Sequence, residues 1–72
     1  MMTVKLSEAQ RRLLSDMVGC NLRRTPQGWF AKSHRAHSTA TREKLAELRL
    51  IQPTRFPGSF ELTEAGFQEA TR

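Results

Sequence analysis

Leu45-Ala46-Glu47-Leu48-Arg49-Leu50-Ile51, then Phe56-Pro57-Gly58-Ser59, then Leu62-Thr63-Glu64-Ala65-Gly66 is the run of sequence that decides the fold. It predicts a helix over Thr39–Arg49, with Ser38 or Thr39 as the side chain that caps its first free N–H groups. Thr41, Leu45 and Leu48, with Ala40 near them, recur at helical spacing and define its buried stripe. Arg42, Glu43, Ala46 and Arg49 are expected on or near the opposite side. Leu50 and Ile51 lead into a strand. Pro53 has no N–H to give to a ladder, which puts that strand at a sheet edge. Phe56-Pro57-Gly58-Ser59 is a turn, because proline presets φ and glycine accepts a positive one. Ser59–Leu62 returns as a strand with Phe60 and Leu62 on one face. Thr63 caps a third helix over residues 64–71, in which Leu62 and Phe67 have the spacing of a hydrophobic staple. Gly66 weakens that helix by up to ~1 kcal/mol relative to alanine. The helix is therefore expected to hold only by packing Phe67 and Ala70 onto the core.

Working back toward the N-terminus, Ser7-Glu8-Ala9-Gln10 has the form of a capping box. Leu6, Ala9, Leu13, Leu14, Met17 and Val18 make one apolar face, and Gly19 stops the helix, which spans about residues 7–18. Between Cys20 and His37 the reading is a β-hairpin around Thr25-Pro26-Gln27-Gly28, with a loop carrying one short strand as the rival. Trp29 and Phe30 are neighbours, so in a strand they face opposite ways. One joins the core and the other is at least partly exposed. The fold class expected is α+β, one small domain in the order α-β-β-α-β-β-α.

With 72 residues and 38% apolar content, the chain has one small core. A domain of this size buries only about 60% of its unfolded surface. No apolar run approaches the ~20 residues of a membrane span, and Met1 to Lys5 has no apolar segment of a leader. A lone cysteine, Cys20, makes no internal disulfide, is expected to be a small buried residue, and fits a reducing cytoplasm. The net charge is +5 and it is uneven. Residues 1–36 hold seven basic and two acidic side chains, a net of +5, and residues 37–72 hold five of each. Such an excess favours nucleic acid or another polyanion.

The segment Leu45-x-x-Leu48-x-Leu50-Ile51, Pro-Gly turn, Leu62-Thr63-Glu64-Ala65-Gly66 resembles the recognition helix, wing and following helix of MarR-like bacterial winged-helix repressors. The resemblance covers residues 39–70. Three features depart from the family pattern: Arg49 stands where the family has a glycine before the Leu-Ile pair, residues 21–37 do not read as a helper helix, and the long dimerisation helices are missing. The resemblance implies a reduced winged-helix-like domain that binds DNA, with helix 39–49 in the major groove.

On that basis Thr39, Arg42, Glu43 and Ala46 would be the reading residues, with Arg42 forking onto guanine. The charge itself points to a backbone grip by Arg11, Arg12, Arg23, Arg24, Lys32 and Arg35. Arg55 beside the wing tip is a further phosphate or minor-groove contact. Trp29 is either core or a stacking surface for a single-stranded base. The expected partner is double-stranded DNA, with a protein partner as the alternative, and the chain is expected to be a monomer or weak dimer. In the alternative, the exposed member of the Trp29/Phe30 pair joins Phe56 as the contact surface. No cofactor, metal or catalysis is expected: His34, His37 and Cys20 fall short of a zinc shell, and no nucleophile has a paired base.

Overall fold

The computed structural model describes residues 5–32 and 35–72; the expectations that fall on Met1 to Val4 and on His34 lie outside them. The elements run α1 (Glu8–Asp16), β1 (Leu22–Thr25), β2 (Gly28–Phe30), α2 (Thr39–Glu47), β3 (Ile51–Pro53), β4 (Ser59–Leu62) and α3 (Glu64–Ala70). The protein is thus α+β in the order expected, and residues 21–32 take the hairpin rather than the loop.

Each helix starts where the sequence places a cap. At α1, Ser7 Oγ accepts from the Gln10 N–H (3.2 Å) and Gln10 Oε1 accepts from the Ser7 N–H (2.9 Å), so both halves of the capping box are formed. Ser38 caps α2 by accepting from the Thr41 N–H, and Thr63 caps α3 by accepting from the Gly66 N–H. Helix α1 stops at Asp16, two residues short of expectation, because the Val18 N–H donates three residues back to the Ser15 carbonyl (3.3 Å) in a tighter turn that leads to Gly19 at φ +82°.

The four strands form one antiparallel sheet in the order β2-β1-β4-β3. Register and the two-residue alternation of strands put Leu22, Arg24, Trp29, Ile51, Pro53, Phe60 and Leu62 on one face. Arg23, Thr25, Phe30, Gln52 and Glu61 take the other, where Gln52 Nε2 donates to Glu61 Oε2 (2.7 Å). Helix α1 packs on α2 and α3, α2 on β2 and β3, and α3 on β4. The core between them is Leu6, Leu13, Leu14, Met17, Leu22, Trp29, Leu45, Leu50 and Ile51. Trp29 is therefore the inward member of its pair, and Phe30 is half-buried.

Both sheet edges are modified. Trp29 and His37 exchange backbone hydrogen bonds (3.1 and 2.7 Å) along the outer side of β2. On either side of β3, the Leu50 carbonyl accepts from the Thr63 N–H and the Thr54 N–H donates to the Ser59 carbonyl, so Ile51 and Pro53 turn their backbone groups outward, and proline has no N–H to present there.

Two helices seat differently from expectation. In α2 the buried arc is wider than the apolar stripe. Leu45 is fully buried, Ala40 is exposed, and Ala46 and Arg42 turn inward instead of lying on the solvent side. The helix is wedged between α1 and the sheet, so more than one stripe meets protein. In α3, Phe67 remains 50% exposed and does not anchor the helix. Gly66 is buried instead: a Cβ there would stand 1.8 Å from the Leu50 carbonyl oxygen. Its bare backbone lets α3 lie against the junction of α2 and β3, where the Thr63 N–H and hydroxyl also bond the Leu50 and Arg49 carbonyls (3.1 and 2.8 Å).

That junction explains Arg49. Its φ is +62°, the only non-glycine residue in the left-handed region among those described. The conformation that ends α2 is the one a glycine adopts at no steric cost, and here an arginine takes it.

Candidate nucleic-acid interface

Strand β1 runs beside β4 with Arg23 opposite Ser59, and the Arg24 N–H donates to the Gly58 carbonyl (2.9 Å). This register places the β1–β2 and β3–β4 turns side by side at one end of the sheet. An open cleft of about 570 Å³ lies between them, lined by Arg24, Thr25, Pro26, Pro57 and Gly58. Both tips are held by their own hydrogen bonds. Thr25 Oγ1 donates to the Gly28 carbonyl (2.9 Å) and accepts from the Gln27 N–H (3.2 Å). In the second tip the Ser59 N–H closes on the Phe56 carbonyl (3.2 Å) around Gly58 at φ +73°. The Arg55 guanidinium lies 6.0 Å from the centre of the Phe56 ring.

Below this end, on the helix-covered face, Arg42 reaches from α2 over two rings. Its guanidinium carbon is 5.1 Å from the Trp29 centroid and 5.0 Å from that of Phe60, and the rings meet edge-on at 5.5 Å and 74°. Its side chain is 18% exposed, its Nε is buried, and its terminal nitrogen is 3.5 Å from Glu43 Oε1. Trp29 Nε1 donates to Thr39 Oγ1 (3.3 Å), which ties the same cluster to the start of α2. A planar fork is what fits between two rings, so Arg42→Lys is expected to destabilise the fold by about 1 kcal/mol although charge is kept. A urea midpoint equal to that of the native chain would count against the stacking.

These placements sort the residues expected from sequence. Of the four reading positions on α2, Thr39 and Glu43 are exposed, while Arg42 is committed to the rings and Ala46 to the core. The outer face of α2 is Ala40, Glu43, Lys44 and Glu47, two carboxylates to one ammonium. Trp29 is 7% exposed, which leaves it no face for stacking on a base.

The basic residues are not gathered into one stripe. Arg24 belongs to the cleft between the tips, and Arg55 to the second tip. Arg23, next in chain, points from the opposite sheet face and lines a hollow with Gly19, Cys20, Asn21 and Ala31 near the remote end of β1. Lys32 is also remote from the turns, its N–H donating to the Asp16 carbonyl (3.3 Å). Arg12 pairs with Glu8 one turn back and shares a shallow hollow with Arg35, Ser15 and Asp16. Arg11 is exposed on α1.

One polar pair escaped the sequence reading. His37 Nε2 lies 2.8 Å from Asp16 Oδ2, with the imidazole almost fully buried, and joins the end of α1 to the approach to α2. The residues stand 21 apart, with no motif between them to signal the contact. Cys20 is exposed and not buried as expected, since it follows the left-handed turn at Gly19 outside the packed face of α1. Among the described residues no three His, Cys, Asp or Glu side chains stand close enough to hold a metal ion, and no helix is long and apolar enough to cross a membrane. The chain matches no protein-family model, no curated protein and no solved structure.

Proposed function

We propose that the protein is a nucleic-acid-binding domain that grips double-stranded DNA through the end of the sheet where both hairpins turn. The observation that carries this reading is the alignment of the two tips, with Arg24 in the cleft between them and Arg55 on the second. Two preorganised turns with guanidinium groups beside them suit phosphate, since each guanidinium can fork onto one phosphate group. The net charge of +5 adds an attraction that does not depend on sequence.

The winged-helix-like reading of residues 39–70 rests on three further points. The β3–β4 hairpin follows α2 as a wing would, Thr63 closes the hairpin and caps α3, and Arg49, where the family pattern has glycine, takes a left-handed conformation that glycine favours. Placing α2 in a major groove has less support, because its open face is mixed in charge and Arg42 is occupied by Trp29 and Phe60. The contact is therefore mainly to backbone, and a role in transcription regulation would come from occupancy more than from close reading of bases.

A second reading, a protein-interaction module, is favoured by that same outer face of α2 and by Phe67, half exposed on α3. The two readings part on ionic strength. Anisotropy of a labelled random duplex should report binding that falls about 40-fold between 50 and 200 mM salt if about three phosphates are neutralised. No binding at low salt would sink the DNA reading and leave the protein partner.

A further inference from the structure

Phe56 is 66% exposed at the tip of the β3–β4 hairpin, and its backbone is pinned in place. Its N–H donates to Thr54 Oγ1 (3.1 Å), and its carbonyl accepts from the Thr54 hydroxyl (3.4 Å) and the Ser59 N–H (3.2 Å). A slack loop would let an aromatic ring fold back and shed its contact with water. Here the turn holds the ring out, Pro57 follows it, and Arg55 places a positive charge against it.

Resting on the nucleic-acid reading above, we infer that Phe56, backed by Pro57, is a wedge that enters the minor groove of duplex DNA and unstacks one base step. Arg55 then meets the flanking phosphate. Pro57 and Gly58 add little side-chain bulk beyond the exposed ring, so Phe56 leads where the tip meets a groove about 6 Å wide. Apolar side chains inserted there part neighbouring base pairs and kink the duplex by about 20–90°. A platform for single strands needs successive rings. Among the described residues the other exposed large apolar side chain, Phe67, sits on α3, which begins where β4 ends, away from the tips. One ring fits one step.

The test uses the full chain with a duplex carrying a single 2-aminopurine inside a TA-rich segment and a fluorophore pair at its ends. Anisotropy reads binding, 2-aminopurine brightening reads unstacking, and energy transfer reads the bend. The native chain should give all three signals. Phe56→Ala should keep its circular dichroism, bind within about tenfold of the native chain, and lose brightening and bend together. Phe56→Trp should retain them. Native binding without brightening or bend overturns the wedge and leaves the nucleic-acid reading standing. Brightening that persists in Phe56→Ala overturns the assignment to this residue. No binding overturns both.

Discussion

Gly66→Ala is expected to cost about 3 kcal/mol of stability, the upper part of the range for forcing atoms into a packed site. In an open helix the same change would stabilise by up to ~1 kcal/mol, because alanine is the better helix former. The sign reverses here because the added Cβ would lie 1.8 Å from the Leu50 oxygen and 2.8 Å from its carbonyl carbon. Neither atom can yield cheaply. The same oxygen accepts the Thr63 N–H, so moving it loosens the cap of α3 as well. For a chain of this size a loss of that order lowers the melting temperature by about 12–24 °C, and total stability is only about 4–11 kcal/mol. Thermal melts followed by circular dichroism decide it. A rise in melting temperature would mean that α3 does not sit on the α2–β3 junction as described.

Arg24→Glu combined with Arg55→Glu is expected to weaken duplex binding about 100-fold, taking each lost charge-assisted contact as about 1.5 kcal/mol. The salt slope should fall by about 1.8 with the loss of two phosphate contacts. The matched control is Arg11→Glu with Arg23→Glu, which makes the same change in net charge but away from the two tips. If affinity depended on total charge alone, the two variants would weaken alike. If the tips make the contact, the control keeps most of its affinity and its salt slope. Arg11, Arg23, Arg24 and Arg55 are all exposed, so neither variant should disturb the fold.

The order of elements was legible because the sequence marks its own boundaries. Ser7 with Gln10, Ser38 and Thr63 are caps with a defined hydrogen-bond partner. Pro26-Gln27-Gly28 and Pro57-Gly58 are turns whose backbone angles few other residues accept. What these signals do not carry is how elements meet. Arg42 reads as a solvent residue because it is charged, yet a long planar cation covers aromatic rings as well as an apolar side chain would. Gly66 reads as a weak point in a helix, and only the neighbouring carbonyl turns it into a requirement. Phe67 has staple spacing but stays half exposed, because the close approach at Gly66 already fixes how α3 lies. For the candidate site, the strand alternation of Arg23 and Arg24 was readable in principle. That Arg24 would share a cleft with the second hairpin depended on the pairing of β1 with β4, across a separation no local pattern encodes.

Both edges of the sheet are hindered against growth. A strand edge with free N–H and C=O groups is a template for another copy of the same chain. One edge is closed by the segment at His37, and the other offers proline where an incoming strand would look for a donor. A small basic protein crowded along a polyanion is brought to high local concentration, the condition in which sheet edges join and aggregate. If the protein binds nucleic acid as proposed, copies held at close spacing would meet at two hindered edges and not through a shared ladder.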